Sequence, residues 1–405
     1  MTSSDDDLKT VYLALDGRRT GPYSPADLRR QIRMGELADS VFAWRSGMAT
    51  WLPLRDVLGD LPPVPPPPPT APPESGKEFF ADITGLERLE GFSLRRFFAG
   101  IFARHTPEEV TDFFCMGGSN TRLPLSRVQT EWPSPWIFTR LMLLAVVLYV
   151  GFYWGVDMFR NLKLVPGCIF VGNFGIPFCI MVLFMELNVY RHVSFYAVLK
   201  AFMLGGLLAI FIALFLFGQT GFSAAPLAGI IEEPAKLAAA VLIGRRMMDG
   251  RALTGLLLGS AVGAGFAAFE SAGYTFESII AVCLELKRDG EAPVDPGALM
   301  QMRAVLSPFC HVVWTAITAG GLWLMMGRLK EEGKPCSALQ ALREKRLLAL
   351  FAVPVLLHTL WNCDWVQNFG IVSYGLLGLA AWITALRLVQ AGLRQAAKEK
   401  SDAGL

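Results

Sequence analysis

Charge, histidine and organised cysteine are all scarce in this chain. Charged residues make up 18% of its 405 positions and nearly cancel, leaving a formal net charge of +2. A basic surface able to neutralise nucleic-acid phosphates is therefore not expected, and nucleic acid is not among the expected partners. The seven cysteines (Cys115, Cys168, Cys179, Cys283, Cys310, Cys336 and Cys363) are odd in number, scattered, and free of any CxxC spacing. Neither a disulfide framework nor a zinc knuckle follows from them. The first residues, MTSSDDDLKT, are acidic and lack an apolar core, so no cleavable signal peptide is expected.

Apolar character is what the chain has in quantity. Hydrophobic residues reach 53% and aromatic residues 11%, a composition that belongs to a membrane protein. Apolar runs mark about eight spans, near 136–156, 164–187, 195–217, 223–244, 252–275, 304–326, 346–362 and 369–390. The fifth has the pattern to continue as a helix into 276–286. The expected fold is a polytopic α-helical membrane protein with a small α/β soluble domain in front.

That soluble domain occupies residues 8–57. Val11–Leu15 reads as a strand, Asp16-Gly17 as a turn, Ser24 as the N-cap of a helix reaching Arg33, and Phe42–Trp44 as a second strand. Tyr12, Gly21-Pro22-Tyr23, Gly35, Trp44 and Trp51 together resemble a GYF-like domain. The resemblance implies binding of proline-rich peptides through an aromatic patch of Tyr23, Trp44 and Trp51. The bland alternative is that these rings only pack a small core with Leu54. Residues 58–77, with LPPVPPPPPTAPPESG at their centre, form a polyproline linker that cannot build a core. It is also a candidate ligand for the domain beside it. Residues 78–135 are a juxtamembrane region in which Phe92–Arg104, aromatic on one side and basic on the other, suits a helix at the membrane surface or a short soluble helix packed on its neighbours. The membrane domain is expected at 136–390 and a tail at 391–405.

Loop charges orient the spans. Arg245, Arg246 and Arg251 follow the fourth, Arg328 to Arg346 carry six basic residues after the sixth, and Arg394, Lys398 and Lys400 follow the eighth. The positive-inside tendency puts these, and both termini, in the cytoplasm. Arg160 and Lys163 after the first span run weakly against it.

The polar residues inside the spans then fall in one layer, the outer half. Glu232 and Glu233 interrupt an apolar run with Lys236 one turn on, Glu270 lies in span five, His311 in span six, and His358 with Asn362 in span seven. Each ionisable group at mid-membrane costs roughly 2.5–3.5 kcal/mol on insertion scales. A structural ion pair with Lys236 would occupy only one of the two acids. Gly259, Gly263 and Gly265 thin span five for close packing, and Gly320 and Gly321 do the same for span six.

Glu232-Glu233-Pro-Ala-Lys236, Gly265–Ser271, Phe309-Cys310-His311 and Leu357–Asn362 occur in the order found in PrsW-type intramembrane proteases, which resemble the wider CAAX-protease and bacteriocin-immunity superfamily. Met185-Glu186-Leu187-Asn188 looks like an upstream element of the same family. Ser271 stands where a common family pattern has asparagine. The resemblance implies peptide hydrolysis in or beside a bacterial cytoplasmic membrane, on a membrane-protein substrate such as a single-span regulator or on a prenylated peptide, and the sequence does not select between them. Chemically, Glu232 suits a base that activates water, Glu233 orients Lys236 or the water, Glu270 holds His311, and His311, His358 and Asn362 face the oxyanion. A zinc ion on Glu232, His311 and His358 is the rival mechanism. It is disfavoured by the nearby lysine and by the lack of HExxH. Cys310 and Cys363 are expected to pack rather than react. A transporter finds no support in an inverted repeat. A non-catalytic scaffold recruiting proline-rich partners is the remaining alternative.

Overall fold

The computed structural model describes residues 10–15, 18–34, 36–59, 77–118, 121–220, 225–286 and 293–405. The chain divides into two compact units, Met1–Ser75 and Gly76–Leu405. Asp16-Gly17, Gly35 and the proline run lie outside the described residues.

The first unit contains β1 (Val11–Leu15), β2 (Arg18–Tyr23), α1 (Pro25–Arg33), β3 (Phe42–Arg45), β4 (Leu52–Pro53) and α2 (Leu54–Leu58). The sheet order is β2-β1-β3-β4, antiparallel throughout. Alternation along β1 turns Val11 and Leu13 inward to meet Leu28, Ala43, Leu54, Val57 and Leu58. Ser24 caps α1, its hydroxyl accepting from the Ala26 and Asp27 amides, with Pro25 in the first turn. Gly21-Pro22-Tyr23 closes β2. At Gly21, φ is +124° and a Cβ would lie 3.0 Å from the Val11 carbonyl oxygen, so glycine is required there.

The second unit is helical: α3 (Ile137–Phe159), α4 (Leu162–Leu187), α5 (Phe195–Thr220), α6 (Ala228–Gly244), α7 (Ala252–Cys283), α8 (Pro296–Leu306), α9 (His311–Glu331), α10 (Lys345–Trp361) and α11 (Ile371–Asp402). Among the described residues, six helices are long and apolar enough to cross a membrane, counting α8 and α9 as one. Eight spans were expected. The two that fall short, α6 and α10, have 17 residues each, about 26 Å of helix against a hydrocarbon core of about 30 Å. Both contain an interior proline, Pro234 and Pro354.

Two expectations are corrected. Phe92–Arg104 is not one surface helix but a turn at Leu94–Phe97 followed by a 3-10 turn at Ala99–Phe102. Side chains claim the carbonyls that a longer helix would use: Ser134 donates to Arg96, and Arg140 donates to Ile101 and Ala103. Span six is broken as well. Cys310 has a non-helical backbone (φ −125°, ψ −125°), so His311 opens α9 instead of lying inside one continuous helix over 304–326.

Helix α7 is the centre of this unit, and glycine explains why. Gly255, Gly259 and Gly263 form one row at four-residue spacing against α9. A Cβ on any of them would strike the carbonyl of Ala319, Thr315 or His311 respectively. Gly265 faces the other way, where a Cβ would strike the Phe202 carbonyl on α5. Small residues here let backbones touch, and dispersion contacts then accumulate over the full interface. The same row sets the start of α9 beside the stretch of α7 that carries Glu270.

Candidate active site

Glu232, Glu233 and Lys236 share a face of α6 because three- and four-residue spacings return to the same side of the helix. Glu232 lies in the second turn, since the helix begins only at Ala228. Glu233 and Lys236 are completely buried. The Lys236 ammonium donates to Glu233 Oε1 at 2.8 Å and to Glu232 Oε2 at 3.1 Å. One cation thus serves both acids, contrary to the expectation that it would serve one.

The third bond of the ammonium goes to His311 Nδ1, 2.8 Å away. An ammonium only donates, so Nδ1 accepts and the ring proton sits on Nε2. His311 Nε2 is 3.2 Å from Glu270 Oε2. His358 is arranged the other way round. Its Nδ1 lies 2.9 Å from Glu233 Oε1 and must carry the proton, because a carboxylate only accepts. The Nε2 lone pair is left facing Glu232 Oε2 at 3.8 Å. Gly229 permits this approach of α10 to α6: a Cβ there would lie 2.9 Å from the Val355 carbonyl and 3.0 Å from His358 Cβ. Trp314 is fully buried and packs on both imidazoles, stacked at 4.7 Å on His358 and edge-on at 5.2 Å to His311. Four helices therefore bring Glu232, Glu233, Lys236, Glu270, His311 and His358 into one bonded cluster.

Asn362 is not part of it. Helix α10 ends at Trp361, and the Asn362 amide donates instead to the Ala225 carbonyl at 3.1 Å. Ser271 is also turned away from the imidazoles, accepting from Arg303 Nε at 2.8 Å. Arg303 was not singled out by any motif. It lies on α8, and its Nη2 donates to Glu270 Oε2 at 2.5 Å. The one signal for it was a basic residue at the edge of the sixth apolar span. Glu186 acts away from the cluster. Its carboxylate accepts from the Trp136, Ile137 and Phe138 amides at 2.8–2.9 Å and so closes the open end of α3.

Could the cluster hold a metal ion? One ligand atom each from Glu232, His311 and His358 can be chosen so that all lie within 4.8 Å of one another. A carboxylate with two imidazoles is a zinc donor set. The second nitrogen of each ring rests on a carboxylate, Glu270 or Glu233, the usual backing for a metal-bound histidine. The residues fit. The Lys236 ammonium already bridges Glu232 and His311, so a dication would have to displace it or take its proton.

In the first unit, Tyr12, Trp44 and Trp51 form a row of rings with centroids 6.1 Å and 6.5 Å apart, and the Arg19 guanidinium lies 3.9 Å from the Tyr12 ring centroid. Tyr23 instead packs against the core.

Residues 193–388 match the family described as PrsW family intramembrane metalloprotease. That stretch is similar to the PrsW family. All six clustered side chains fall inside this PrsW-family match, whereas Met185–Asn188 precede it. Residues 12–59 match GYF domain 2. No match was found among curated proteins or solved structures. The apolar helices, together with the PrsW-family match, make the chain a multi-pass membrane protein.

Proposed function

We propose that this protein is an intramembrane endopeptidase that hydrolyses a peptide bond of a membrane-associated protein by a water that Glu232 activates. The observation that carries the reading is the convergence of Glu232 and His358 Nε2 at 3.8 Å, each with an open acceptor and each fixed from behind. A water hydrogen-bonded to both is held at a defined angle, which is the entropic part of catalysis. Glu232 takes one water proton as the oxygen bonds to the carbonyl carbon. That proton then goes to the leaving nitrogen as the C–N bond breaks, yielding a carboxylic acid and an amine. His358 orients the water through its lone pair, and Glu233 keeps the ring in that tautomer. Lys236 gives the two adjacent acids a shared counter-charge in a buried place.

The metal reading is the second one, favoured by the carboxylate behind each imidazole. Glu232, His311 and His358 would hold the ion, and its chemistry would be to acidify a bound water and polarise the carbonyl. The bridging lysine is the reason for placing it second.

Basic residues after spans four, six and eight support a site in the outer half of a bacterial cytoplasmic membrane, with both termini inside. A single-span regulator is the substrate class that suits such a site. Tyr12, Trp44 and Trp51 suit a proline-rich peptide, a partner or the linker at 58–77, since proline rings pack on aromatic faces. Trp44→Ala should abolish retention of a proline-rich peptide by the isolated residues 1–75; unchanged retention would leave the rings a structural role. For the enzyme, membrane peptides are compared quantitatively between cells carrying the wild-type chain and Glu232→Gln, both shown to insert. At least one membrane protein should be shortened only by the wild type. Cleavage that persists in Glu232→Gln ends the mechanism, and a scaffold would show no difference at all.

A further inference from the structure

Hydrolysis by an activated water puts a full negative charge on the carbonyl oxygen, and the donors in the cluster are already spent. Lys236 uses its three N–H bonds on Glu232, Glu233 and His311. The His311 ring proton faces Glu270 and the His358 proton faces Glu233; Asn362, outside the cluster, gives one amide N–H to the Ala225 carbonyl. Arg303 has donors in reserve. A guanidinium offers five N–H bonds; Nε goes to Ser271 and Nη2 to Glu270, and among the described residues Nη1 has no hydrogen-bond partner. The side chain is 22% exposed. With His311 it lines a cavity of about 80 Å³, whose other walls include Ser271, Leu306, Trp361 and Tyr374. Trp314 Nε1 is the other unpaired donor beside the rings, but it is fully buried, whereas the Arg303 side chain is partly exposed.

We infer that Arg303 is a catalytic residue, its Nη1 group donating to the oxyanion of the tetrahedral intermediate while Ser271 and Glu270 clamp the rest of the fork. The inference rests on the hydrolytic reading above. Two-point clamping is what turns a flexible cation into a preorganised donor, since no reorganisation is left to occur as charge develops. The Tyr274 ring, with its centroid 4.5 Å from Cζ, covers the guanidinium. Serine at 271 has a role in this arrangement: a small hydroxyl accepts from Nε without filling the cavity. The fork also gives the charge a source on α8, a helix with no other member of the cluster.

The test uses the full chain in detergent and, as probe, a quenched-fluorescence peptide spanning a bond whose cleavage in membranes depends on Glu232. Arg303→Gln should lower kcat about 10²–10³-fold, the usual cost of one oxyanion donor, with KM changed less than about twofold. Arg303→Lys, which keeps the charge without the fork, should remain at least about tenfold below wild type. Methylguanidinium added to Arg303→Ala should restore part of kcat, which a purely structural role would not permit. A kcat for Arg303→Gln or Arg303→Lys within about threefold of wild type overturns the assignment, as does a loss expressed only in KM. If Arg303→Gln does not insert, Arg303→Lys decides alone. Glu232-dependent cleavage that ignores Arg303 overturns this inference only. Cleavage that ignores Glu232 overturns the hydrolytic reading beneath it.

Discussion

Lys236→Met is the sharpest perturbation of this centre. Methionine keeps most of the length and the apolar stem, so the change removes the ammonium and little else. The ammonium bridges two acids whose side chains are 0% and 10% exposed, and it is itself 0% exposed. Removing one partner of a buried ion pair costs about 3–5 kcal/mol, because the remaining charge has neither water nor counter-ion. At roughly 2–4 °C per kcal/mol for a domain of this size, the thermal midpoint should fall by about 10 °C. Part of the cost can be relieved if Glu232 and Glu233 share a proton, as neighbouring carboxylates do. A shared proton disables Glu232 as a base, so cleavage should fall at least about 10²-fold even where the fold survives. Tryptophan fluorescence during heating in detergent gives the midpoint, and the quenched peptide gives the rate. Lys236→Met with an unshifted midpoint and wild-type cleavage would refute the account. A variant that gains stability and activity from added zinc would be equally decisive, because it would show that lysine had been blocking an ion site and that Glu232 is a ligand.

The remaining predictions use other handles. Active wild-type protein should carry no stoichiometric zinc by elemental analysis and should keep its rate in a strong chelator; one equivalent of zinc, with activity lost on chelation and regained on adding zinc, would reassign Glu232, His311 and His358 as ligands. In a Cys283→Ser background, a cysteine placed at the exposed Val294 should react with an impermeant thiol reagent in intact cells while native Cys336, also exposed, should not. The reverse pattern would invert the membrane orientation. Gly259→Val should loosen the α7–α9 contact, since its Cβ would sit 2.7 Å from Ala319 Cβ and strike the Thr315 carbonyl. A loss of about 1–3 kcal/mol is expected, read as a lower thermal midpoint, and an unchanged midpoint would remove the glycine row from the explanation of the fold.

Much of the candidate site was legible in the chain because the membrane makes charge expensive. Glu232, Glu233, Lys236, Glu270, His311 and His358 stand out against apolar runs by type alone, and their i,i+3 and i,i+4 spacings name the face each pair shares. The glycine row of α7 was legible only in part: Gly259 and Gly263 were named, Gly255 was not, and Gly265, grouped with them, faces α5 instead. Local periodicity does not say which face meets which neighbour, where a helix begins, or which atom of a side chain is already engaged. The break at Cys310, the start of α6 at Ala228 and the end of α10 at Trp361 depend on packing between helices. They brought His311 to a helix start and took Asn362 away from the cluster. Lys236 reaching both acids, the opposite tautomers of the two histidines, and the arrival of Arg303 from α8 were decided in three dimensions only. Hydrogen bonds are short and directional, so their pairing waits until the helices that carry them have closed.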